Sequence, residues 1–79
     1  MKEEIIVTKN LTTEIAKAIV EKASTFEEAS IHILYDNKSV NAKSIMGVLS
    51  LSLKVGETAI IEVIDEEAES IIEILSALI

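Results

Sequence analysis

The chain has no cysteine and no proline, and only 3% of its residues are aromatic. Without cysteine there is no disulfide, no thiol chemistry and no cysteine-ligated zinc. A cytoplasmic setting fits that usage. With so few aromatics, Ile, Val, Leu and Ala must build the core. At 49% hydrophobic residues the chain is not a disordered tail. No apolar run approaches the length of a membrane span, so no membrane partner is expected. Met1-Lys2-Glu3-Glu4 does not open a signal peptide. Fourteen acids against seven bases give a net charge of -7, which repels a phosphate backbone and speaks against nucleic acid as a partner.

What is present fits one domain, spanning residues 1–79. Glu3 to Thr8 reads as a strand, because Ile5, Ile6 and Val7 suit a pleated surface. Thr12 or Thr13 starts a helix to about Ala23, with Ile15, Ala16, Ile19, Val20 and Ala23 at helical spacing. Glu14 and Lys17 lie close enough on it to pair weakly. Phe26 tucks into the core from the connection that follows. Ala29 to Asp36 is a second strand, Asp36-Asn37 a turn, and Lys38 to Ala42 its hairpin partner. Ser44 to about Leu53 is a short helix, and Thr58 to Ile64 a fourth strand. Asp65-Glu66-Glu67 opens a last helix with Ala68, Ile71, Ile72, Leu75 and Leu78 as its apolar stripe. The order is β-α-β-β-α-β-α. The fold class is α+β, a four-stranded antiparallel sheet with three helices on one face.

Asn41 to Leu51 organises the chain. Ser44 can cap the short helix by accepting from a free N–H of its first turn. Ile45, Met46, Val48, Leu49 and Leu51 place apolar residues on more than one side of it. Some must face the core, while Met46 and Leu49 are expected to stay exposed and meet a partner.

Lys43-Ser44-Ile45-Met46-Gly47-Val48, with Lys38 to Ala42 before it and Leu49-Ser50-Leu51 after it, resembles the regulatory-serine segment of the HPr family. These are small phosphocarriers of the bacterial sugar phosphotransferase system. The resemblance covers nearly the whole chain and implies the family's open-faced β-sandwich, which has the same element order. It also implies a regulatory phosphosite at Ser44, with Ile45, Met46 and Leu49 as apolar partner contacts. In some members of the family a dedicated kinase phosphorylates that serine.

The family's phosphoryl histidine lies at the start of the first helix, in the motif Gly-(Ile/Leu)-His-Ala-Arg-Pro-Ala. The corresponding stretch here is Asn10-Leu11-Thr12-Thr13-Glu14-Ile15-Ala16. Thr12 stands at the histidine position and Glu14 at the arginine position. An imidazole accepts a labile phosphoryl group near neutral pH, whereas a threonine hydroxyl is a far weaker nucleophile. The arginine would offer a fork of donors to the phosphoryl oxygens, and Glu14 would repel them. Thr12 reads first as a helix cap. A relative of the family, Crh, lacks the histidine, keeps the serine and works only in regulation.

His32, the only histidine, lies in the second strand and alternates with Ile31 and Ile33, which points it away from the helices. Alone, it makes a poor metal site. No metal, cofactor or independent enzyme is expected. The same alternation leaves Ile6, Leu34 and Ile60 on the outer face, where they could form one row for self-association as a homodimer. Three functions follow. The first is a regulatory or interaction protein acting through the Ser44 helix on phosphotransferase-system or regulatory proteins. The second is a phosphocarrier by family assignment. The third is a binding module with an unrelated partner.

Overall fold

The period-two pattern of the strands sorts their side chains between a core face and an outer face. A computed structural model describes residues 1–79. Its elements are β1 (Lys2–Ile6), α1 (Thr13–Thr25), β2 (Ser30–Tyr35), β3 (Lys38–Asn41), α2 (Ile45–Leu49), β4 (Thr58–Ile64) and α3 (Ala68–Ser76). The strands form one antiparallel sheet in the order β1-β4-β2-β3. Ile31, Ile33, Ala59, Ile61 and Val63 turn inward and are buried. They meet Ala16, Ile19 and Ala23 of α1, Val48 of α2, and Ile71, Ile72 and Leu75 of α3 in one core cluster. All 19 buried residues are hydrophobic, so the three helices cover one face of the sheet without any buried charge.

The strands β2 and β3 end within a residue of the sequence-based expectation, and at four other boundaries the difference has a local reason. β1 ends at Ile6, because Val7 leaves the ladder. Its N–H donates to the Glu57 carbonyl at 2.8 Å, and its carbonyl accepts from Gly56 at 2.9 Å. Gly56 makes this turn at a φ of 90°, which glycine adopts without strain. α1 runs two residues further than expected, to Thr25, and Phe26 is its half-buried C-cap.

α2 stops at Leu49, not at Leu53. The Ser50 hydroxyl donates to the Gly47 carbonyl at 2.6 Å, and Ser52 adopts a left-handed φ of 51°. Leu51 and Leu53 are both buried all the same, one in the turn and one in the loop on either side of Ser52. At the last helix, Asp65, Glu66 and Glu67 precede the first turn. The Asp65 carboxylate accepts from the Glu67 N–H at 2.9 Å, and Glu67 is an N-cap without a side-chain cap bond.

No helix is long and apolar enough to cross a membrane.

Candidate functional site

α2 is built around its cap. Ser44 is extended, with φ -108° and ψ 116°, and its Oγ accepts from the Gly47 N–H at 3.2 Å. The Ser44 carbonyl accepts from Val48 at 3.0 Å, closing the first turn. Val48 anchors the helix in the core. Gly47 lets the helix lie close to β3, because a Cβ there would stand 3.3 Å from the Val40 Cβ. With one side anchored, the others face outward. Ser44 is exposed, Met46 is 81% exposed and Leu49 37% exposed. Ile45 is half-buried and packs against the core, so it offers a partner less surface than the other two.

The residue before Ser44 behaves in a way its sequence position does not announce. The Lys43 ammonium donates to the carbonyls of Phe26 at 2.8 Å, Glu27 at 3.2 Å and Ala29 at 2.8 Å. No pattern within residues 41–44 signals that long-range contact.

The start of α1 is a second helix cap. Thr12 is extended, its Oγ1 accepts from the Ile15 N–H at 3.2 Å, and its carbonyl accepts from Ala16 at 2.9 Å. Both Thr12 and Glu14 are exposed. Glu14 does not pair with Lys17; the ion pair of the structure is Lys2–Glu62, at 3.5 Å on the outer face of the sheet. Just before the cap, Leu11 donates to the Leu53 carbonyl at 2.9 Å, and the Asn10 side chain accepts from the Val55 N–H at 3.0 Å. A shallow depression lined by Asn10, Leu11, Leu49, Ser52, Leu53 and Lys54 therefore joins the α1 entry to the end of α2. The two regions singled out in the sequence share one surface.

Beside that surface, the Tyr35 hydroxyl donates to the Glu57 carboxylate, which also accepts from the Lys54 N–H at 2.9 Å. The tyrosine hydrogen bond, and then the backbone one, hold the Glu57 carboxyl below the usual range; the same bond raises the Tyr35 phenol. The pair ties β2 to the loop before β4. Tyr35 and Glu57 are 22 residues apart, and nothing in the local pattern marks them as partners.

His32 is half-buried on the outer face, opposite Glu62 on one side and Asn41 on the other. The sheet separates it from the helices. No three His, Asp or Glu side chains converge as a metal-binding group. The row expected from Ile6, Leu34 and Ile60 needs correction. Leu34 does face Ile60, but β1 contributes Glu4 to that row, while Ile6 faces Thr58. Ile6 is thus a diagonal neighbour of Ile60. The β1–β4 register, which no tight hairpin specifies, makes the difference.

A family model described as the PTS HPr component phosphorylation site matches residues 2–79. The chain belongs to the HPr family. Phosphocarrier HPr from Bacillus anthracis str. Ames is 34% identical, with 100% of this chain and 95% of that one covered and a TM-score of 0.91. An HPr dimer from Thermoanaerobacter tengcongensis is 38% identical, covering 99% and 92% of the two chains, with a TM-score of 0.75. The Bacillus subtilis protein Crh, whose structure is a domain-swapped dimer, is 31% identical over 99% of this chain and 88% of its own, with a TM-score of 0.76. A search of curated proteins finds no match. The HPr fold assigned from the sequence is the fold observed, and the family is that of phosphotransferase-system phosphocarriers.

Proposed function

We propose that this chain is a non-enzymatic regulatory or interaction member of the HPr family that does not carry phosphate on histidine. It acts through α2, with Ser44 as a regulatory phosphosite and Met46, Leu49 and the outer edge of Ile45 as partner contacts. The observation that carries this reading is the N-cap of α1. Thr12 occupies it with its hydroxyl oxygen accepting from Ile15, and the only histidine lies on the far face of the sheet. Glu14 adds negative charge in the first turn, which suits the helix dipole but repels an incoming phosphoryl group. At α2, by contrast, an exposed serine stands beside exposed apolar side chains. A phosphate there would add about -1.5 to -2 charge at the edge of the contact surface.

The test is a pair of incubations followed by intact-mass measurement: enzyme I with phosphoenolpyruvate, and an HPr serine kinase with ATP. The reading expects one phosphate from the kinase only, lost in Ser44→Ala. Acid-labile label from enzyme I overturns it.

A second reading, self-association, draws on the outer sheet face. Ile6 and Ile64 are each 67% exposed there, and Leu34 packs beside Ile60. Two solved relatives are dimers, one of them by domain swapping. This reading makes the sheet face, and not α2, the contact between two copies.

A further inference from the structure

We infer that Lys43 is a positioning residue for Ser44: its ammonium, held by the end of α1, fixes where the Ser44 hydroxyl is presented. The inference rests on the reading of Ser44 as the modified residue and adds what holds that residue in place.

Residues 41–44 are tied down from separate directions. Ala42, fully buried, donates its N–H to the Ile31 carbonyl of β2 at 2.9 Å. The Asn41 side chain accepts from the Lys43 N–H at 2.9 Å, and the Asn41 carbonyl accepts from the Ser44 N–H at 3.0 Å. These bonds are local to the turn or run to the sheet. The Lys43 ammonium supplies the link to α1.

An ammonium has three donors, and here three carbonyls meet it: Phe26, Glu27 and Ala29. Phe26 is the C-cap of α1, where the negative end of the helix dipole favours a cation. The lysine thus joins the exit of α1 to the entry of α2 across 14 to 17 residues of chain. α2 has only five residues and one buried anchor, Val48. So short a helix has little rigidity of its own, and the position of its cap depends on the turn before it. A kinase that must align a hydroxyl with a phosphoryl donor is sensitive to such placement. The engagement of all three donors also means that Lys43 is held as a tether and is not a loose cation beside Ser44.

The alternative is that Lys43 is simply a charge that the kinase touches. Two variants separate these. Lys43→Met keeps a long apolar stem and removes the donors, and Lys43→Arg keeps a cation with several donors. Two readouts are taken on each. The first is hydrogen exchange of the Gly47 amide, which reports the Ser44 cap, relative to the Ile61 amide in the central strand. The second is kcat and KM for phosphorylation by an HPr serine kinase with ATP.

Positioning predicts that Lys43→Met speeds Gly47 exchange relative to Ile61 by about tenfold, the order expected for losing a charge-assisted bond. It also predicts a lower kcat at similar KM, with Lys43→Arg restoring most of both. Gly47 exchange that tracks Ile61 in every variant overturns the inference. So does a raised KM with kcat unchanged, which marks a kinase contact. If the wild type is not phosphorylated at all, the Ser44 reading fails. The exchange arm then still decides whether Lys43 holds the hydroxyl: selective loosening of Gly47 in Lys43→Met supports the tether, and its absence refutes it.

Discussion

Ser44 and Thr12 do the same structural work at the entries of α2 and α1, each with a side-chain oxygen accepting from an N–H three residues on. An N-cap replaced by alanine costs about 1 kcal/mol. Ser44→Ala should therefore lower the unfolding free energy by that amount, read as a lower urea midpoint at an unchanged m-value. No shift would mean that water replaces the cap. The Tyr35–Glu57 pair makes a prediction about pH. Because Glu57 is held below its usual range, its contribution to stability is present above the ordinary carboxylate pKa and is lost as pH falls through the lowered folded value. Tyr35 is raised, so its contribution is present below the ordinary phenol pKa and is lost as pH rises through the raised value. Tyr35→Phe should flatten the acid limb of the stability–pH curve. An acid limb identical to the wild type would show that the hydrogen bond does not set the Glu57 shift.

Among the elements, the strands were the easiest to read, because alternation along β2 and β4 assigns each side chain to a face whatever the register. Ile31, Ile33, Ile61 and Val63 are buried as that pattern requires. The end of α2 was harder, because Leu51 and Leu53 suit either a helix stripe or an extended segment. The left-handed Ser52 decides it. A serine in that conformation bears a cost that glycine avoids, so Ser52→Gly should stabilise the protein by up to about 1 kcal/mol. Were α2 to continue through residue 52, the same change would destabilise by about 1 kcal/mol. The opposite signs make a urea titration decisive. The caps at Thr12 and Ser44 were legible because capping is local. The Lys43 tether and the Tyr35–Glu57 bond were not, because each joins residues brought together only by the fold. The position of Ile6 depended on β1–β4 register, which the distant ends of the chain leave unspecified.

The helices cover one face of the sheet, and the other is open. That face carries Ile6, Ile60, Leu34 and Ile64 among Lys2, Glu4, Glu62 and His32. Its apolar residues favour burial against a second copy, while a net charge of -7 on each copy opposes it. Self-association by this face would therefore strengthen with salt. Light scattering across concentration should show a dimer that Leu34→Lys with Ile60→Lys returns to a monomer. A wild type that stays monomeric at high concentration and high salt removes the sheet-face reading.

On the proposed function, the family's carrier chemistry is absent at Thr12 and regulation runs through Ser44. The most direct test is the intact mass after parallel incubation with enzyme I plus phosphoenolpyruvate and with the serine kinase plus ATP. One added phosphate from the kinase alone, absent in Ser44→Ala, is the predicted result. An acid-labile phosphate delivered by enzyme I would contradict it.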